Sequence, residues 1–137
     1  MSVVWTQDLA VGVKAIDEQH KEIFKRVDGL LEACRSGKGK EAVEETLDFM
    51  EDYLVRHFTA EENIQLHYAY PDYYAHKKEH EGFIRDVGAL RKKFKREGTS
   101  LMMAAEMSAA LVDWLVKHIK KSDMELGKFL KLSIVKH

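Results

Sequence analysis

Residues 73–94 read YYAHKKEHEGFIRDVGALRKKF. One stripe through them, Tyr73, His76, His80, Phe83, Val87, Leu90 and Phe94, advances in alternating steps of three and four. Steps of that size return to one face of an α-helix. Pro71 forces a break ahead of the stripe, Asp72 can cap the helix start, and Gly98-Thr99-Ser100 marks a turn after it. The stripe is apolar except for two histidines. Polar side chains on a buried face are costly unless something satisfies them.

The same pattern extends on both sides. Upstream, Asp17 reads as an N-cap, followed by His20, Ile23, Phe24, Val27, Leu30, Leu31 and Cys34 at helical spacing, with Ser36-Gly37-Lys38-Gly39 ending the helix. A second helix from about Lys40 to Leu66 carries Val43, Leu47, Met50, Leu54, His57, Glu61 and Ile64. Downstream, Leu101, Ala104, Ser108, Leu111, Leu115 and His118 stripe a fourth helix, and Met124–Leu132 reads as a short helix or turn. Residues 1–16, with Trp5, Val11, Val13 and Ile16, lack the helical period and read as a packed arm.

The expectation is one all-α domain over 1–137: arm 1–16, an antiparallel up-down-up-down four-helix bundle over 17–122, and a C-terminal segment 123–137. A single proline and 45% apolar residues fit a helical core. A formal net charge of −1 gives no electrostatic reason to expect nucleic acid or an anionic membrane as partner. The basic run Arg91–Arg96 falls where a helix dipole favours cations. No apolar run approaches spanning length and Met1–Trp5 lacks signal-peptide features, so a soluble cytoplasmic protein is expected. The lone Cys34 excludes an internal disulfide and reads as an inert apolar residue.

Antiparallel packing gathers what the sequence scatters. His20 opens the first helix, His57 and Glu61 lie late in the second, His76 and His80 open the third and His118 closes the fourth. All fall at one end of the bundle. A lone histidine on such a stripe is ordinarily a core residue with a hydrogen-bonded nitrogen. Five together, beside a carboxylate, would need five separate partners. A metal centre satisfies them jointly, since imidazole and carboxylate suit borderline divalent ions. His57 with Glu61 and His76 with His80 are i, i+4 pairs on one face. Asp123, five residues beyond His118, is not a same-face helical offset and reaches the site only from the helix end or an inward turn. His67 and His137 read as exposed and without role. Seven donors exceed one tetrahedral zinc but fit two metals with bridging carboxylates, iron ahead of manganese.

The runs Ile16-Asp17-Glu18-Gln19-His20-Lys21, His57-Phe58-Thr59-Ala60-Glu61-Glu62, His76-Lys77-Lys78-Glu79-His80 and Trp114 through Asp123 resemble the signature of the hemerythrin family, and most closely its single-domain bacterial type. The likeness covers nearly the whole chain, including Trp5 and Val11-Gly12-Val13. It implies two non-haem iron ions joined by Glu61, Asp123 and an oxo or hydroxo bridge. His76, His80 and His118 would hold one iron and His20 and His57 the other, whose open position binds dioxygen reversibly. Ile23, Phe58, Trp114, Leu115 and Ile119 resemble the family's apolar oxygen pocket. Gln65 departs from the methionine that bacterial members often carry there. For hydrogen bonds to the outer imidazole nitrogens, Glu62, Gln19 and Glu79 are candidates that nothing in the sequence lifts above surface residues.

The partner implied is dioxygen, in a monomer or weak homo-oligomer. A di-iron oxidase or peroxidase, or a nitric oxide-handling enzyme, is the alternative. Against it, no Glu-x-x-His motif of the ferritin-like oxidases occurs and no catalytic residue stands out. A regulatory module would need an output domain, for which the bundle leaves no room. A histidine phosphotransfer bundle needs only one exposed histidine.

Overall fold

A computed structural model describes residues 4–37, 40–98 and 100–135. Five α-helices follow in order: α1 (Lys14–Arg35), α2 (Lys40–His67), α3 (Tyr73–Glu97), α4 (Leu101–His118) and α5 (Met124–Val135). A short 3-10 turn, Gln7–Leu9, precedes them, and no strand occurs among the described residues. Helix α1 packs against α2 and α4, and α2 against α3, which is the up-down-up-down bundle. No described helix is long and apolar enough to cross a membrane.

The apolar stripes meet inside. Phe24, Val27 and Leu30 of α1, Leu47, Met50 and Leu54 of α2, Phe83, Val87 and Phe94 of α3, and Leu111 and Leu115 of α4 are buried in one core. The side chains of Cys34, Val43, Leu101, Ala104 and Ser108, and all of His137, lie outside the described residues. His67 is exposed, edge-on to Tyr68.

Asp17 is not an N-cap. Helix α1 begins at Lys14, so Asp17 lies inside its first turn, and its carboxylate instead accepts from the Val11 N–H at 2.8 Å and the Gly12 N–H at 3.3 Å. Arm and helix are thereby fastened together, with Gly12 at φ +85° making the bend. Asp72 occupies the N-cap position of α3 without a side-chain cap bond, whereas Ser100 Oγ accepts from Met103 N–H at the start of α4. Helix α2 ends before Pro71 in a Schellman turn: Ala69 takes φ 55°, Tyr70 N–H donates to Gln65 O, and Ala69 N–H to Leu66 O.

The largest difference from the sequence reading lies at Ile119–Asp123. These five residues form a π-helical stretch joining α4 to α5 without a break. A π turn bonds residue i to i+5, so residues five apart share a face. His118 and Asp123 therefore do share a face, and Asp123 enters the site from within a continuous helix.

Candidate metal centre

Five helical segments bring seven donor side chains to one end of the bundle, and all seven are buried: His20, His57, Glu61, His76, His80, His118 and Asp123. They form two clusters. Glu61, His76, His80, His118 and Asp123 make one; His20, His57 and Glu61 make the other, with Glu61 in both.

Each carboxylate divides its oxygens between the clusters. Glu61 Oε1 lies 3.0 Å from His76 Nε2 and 3.3 Å from His80 Nε2, whereas Oε2 lies 3.4 Å from His57 Nε2 and 3.9 Å from His20 Nε2. Asp123 Oδ1 lies 2.9 Å from His76 Nε2 and 3.1 Å from His118 Nε2, whereas Oδ2 is 3.1 Å from His20 Nε2. One cluster therefore presents three imidazoles and two oxygens, the other two imidazoles and two oxygens. The second is one donor short of the first.

The donor spacing matches a metal's coordination sphere. His76 Nε2 and His80 Nε2 each stand 3.1 Å from His118 Nε2. Adjacent ligands about 2.1 Å from a common ion lie about 3 Å apart. Buried and without a hydrogen-bond partner are both Glu61 oxygens, Asp123 Oδ1 and His20 Nε2. Burying such atoms unsatisfied is unfavourable, and cations at the two cluster centres would satisfy them.

The outer imidazole nitrogens fix which atoms face inward. His57 Nδ1–H donates to Gln19 Oε1 at 2.6 Å and His80 Nδ1–H to Glu62 Oε2 at 2.8 Å. Glu79 Oε2 stands 3.4 Å from His118 Nδ1 and accepts from Ser122 Oγ at 2.7 Å. Contact with His118 and the Ser122 hydroxyl hold the Glu79 carboxyl at about 2. Gln19, Glu62 and Glu79 all take part. Each is i−1 or i+1 to a ligand on its own helix yet serves a histidine of another, a relation no linear spacing encodes.

Charge in the cluster is strongly coupled. Burial pulls His57 down to about 4, despite Glu61 nearby. At His76 burial also acts downward, but the facing Asp123 and Glu61 carboxylates outweigh it and raise the group to about 10. His118 is raised to about 9, with Asp123 and Glu79 overcoming burial. Against the desolvation that would raise them, the facing imidazoles hold Glu61 below its usual value and Asp123 well below. Without a cation, protons on the imidazoles balance the two carboxylates.

Aromatic side chains flank the site. Ile23, Phe58, Leu115 and Ile119 are buried, and Trp114 is half-buried. Phe58 stacks on His80 at 3.9 Å between ring centroids and lies 5.4 Å from His57. Trp114 stacks on His118 at 4.6 Å and on Phe83 at 3.9 Å. A groove of about 450 Å³ between α3 and α4 reaches Trp114, His118 and Glu79. Sequence reasoning assigned no structural place to Gln65, which is fully buried one turn beyond Glu61.

Residues 11–130 match the family model for the hemerythrin HHE cation binding domain. The chain is 36% identical over 121 residues to a bacteriohemerythrin of Pseudomonas paraeruginosa, covering 88% of this chain and 76% of that protein. With the bacteriohemerythrin of Methylococcus capsulatus it shares 33% identity over 129 residues, 93% of this chain and 96% of the relative. A crystal structure of wild-type hemerythrin superposes with a TM-score of 0.79 at 32% identity, covering 93% of this chain and 96% of that one.

Proposed function

Since this chain belongs to the hemerythrin family, we propose that it binds dioxygen reversibly at a non-haem di-iron centre, for storage, delivery or sensing. The observation that carries the reading is the division of Glu61 and Asp123, each with one oxygen toward the three-histidine cluster and the other toward the two-histidine cluster. Carboxylates so placed serve two ions at once. His76, His80 and His118, with Glu61 Oε1 and Asp123 Oδ1, would hold one iron; His20 and His57, with the remaining oxygens, would hold the other. Both ions are supported by the donor count and by the unpartnered oxygens.

When bound, the iron pair supplies two electrons and an open coordination position. The chain's own residues do the rest. His57 is kept neutral at low pH by burial, and the hydrogen bond to Gln19 aims its Nε2 inward. His80 is aimed by Glu62 in the same way. Ile23, Phe58, Leu115 and Ile119 exclude water, and Trp114 covers His118. A dry pocket walled by such side chains offers no general acid, which favours release of the gas over its reduction. That supports a carrier over the alternative, a di-iron oxidase or peroxidase.

The test is a cycle: reduce the iron-loaded protein without air, admit oxygen, then strip it. Recovery of the reduced optical spectrum over repeated cycles is the expected result. One-way oxidation with consumption of peroxide or a co-substrate would make the protein an enzyme instead.

A further inference from the structure

Gln65 is 0% exposed, and neither its side-chain oxygen nor its side-chain nitrogen has a hydrogen-bond partner. An amide stranded in an interior is unfavourable, and each such group needs a reason. The local backbone makes it stranger. Gln65 accepts from Tyr70 N–H at 2.8 Å in the Schellman turn that ends α2, and the residue in that position ordinarily makes an apolar contact with the one in Tyr70's place. Tyr70 is itself buried. A leucine or methionine would suit the turn better than glutamine.

What lies on the other side supplies the reason. Gln65 follows Glu61 by four residues, and side chains on a helix lean toward its N-terminus. That spacing puts Gln65 and Glu61 on one face of α2, and both Glu61 oxygens are buried without a hydrogen-bond partner. An ionised carboxylate offers about four lone-pair sites. Two ions would occupy two of them, leaving acceptor capacity for an N–H group.

We propose that Gln65 is a positioning residue of the metal centre, its Nε2–H donating to the Glu61 carboxylate through one buried water. The donor fixes the orientation in which Glu61 spans both clusters. This rests on the two-iron reading above.

The experiment compares the iron-loaded parent with Gln65→Leu and Gln65→Met, titrating each with an iron chelator and recording the optical spectrum of its azide adduct. Helix content by circular dichroism checks the fold. Losing an outer hydrogen bond of this kind weakens metal binding about 10-fold or more. Gln65→Leu and Gln65→Met are expected to release iron at correspondingly lower chelator, with a shifted azide band and unchanged helix content. Retention of iron and an unshifted band in the apolar variants would overturn the proposal. So would failure of both apolar variants to fold. A parent that holds fewer than two irons would instead overturn the two-iron reading itself.

Discussion

Asp123 Oδ1 lies 3.1 Å from His118 Nε2 although five residues separate them, because Ile119–Asp123 winds as a π turn. In α geometry Asp123 would be rotated off the His118 face, by about 140° at 100° per residue. The extra residue of the π turn is thus a structural condition of the site, with the helix continuing on either side.

Deleting Lys121, which is exposed, should let this stretch revert to α geometry and swing Asp123 out of the site. The expected outcome is a protein that keeps its helix content by circular dichroism but holds fewer than two irons per chain. Full iron content in the deletion variant would show that the π turn is dispensable.

The imidazoles of the metal-free protein set a pH window. His76 at about 10 and His118 at about 9 lie above the unfolded value of 6.5, so their contribution to stability is fully present below pH 6.5 and lost as pH rises through 9–10. His57, lowered to about 4, acts oppositely: stability is lost as pH falls from 6.5 toward 4. After chelation, the melting temperature should peak near neutrality and fall toward pH 10. With iron bound, the imidazoles carry no such protons and the alkaline fall should disappear. Identical profiles with and without iron would contradict this.

The outer partners should rank by geometry. Glu62→Leu removes the 2.8 Å bond to His80 and Gln19→Leu the 2.6 Å bond to His57, and each is expected to weaken iron binding about 10–100-fold in a chelator titration. Toward a histidine, Glu79→Leu breaks only a 3.4 Å contact from a side chain 43% exposed, so its effect on iron binding should be the smallest of the three.

Gly127 on α5 lies where a Cβ would run into the Val11 carbonyl oxygen and come within 3.1 Å of Val11 Cβ. Backbone cannot yield as a side-chain tip can. Gly127→Ala should therefore displace the arm and cost about 1–3 kcal/mol in urea unfolding, while leaving the iron content intact.

Much of this was legible in the sequence. Three-and-four periodicity places the four bundle helices, and the antiparallel plan brings His20, His57, Glu61, His76, His80 and His118 to one level. What escaped depended on non-local or irregular backbone geometry. The π turn breaks the period on which the reading of Asp123 relied. Asp17 looked like a cap because caps and first-turn acids share residue types; only the bonds to Val11 and Gly12 tell them apart. Gln19, Glu62 and Glu79 face other helices' histidines, and Gln65 is an orphan only once its surroundings are known.

Two ions are expected to share Glu61 and Asp123. Crystals of the iron-loaded protein, measured with X-rays tuned to the iron absorption edge, test it directly. Two anomalous peaks are predicted, one among His76, His80 and His118 and one beside His20 and His57, with both carboxylates between them. A single peak, or none within reach of Glu61, would show that the two carboxylates do not hold a pair of ions.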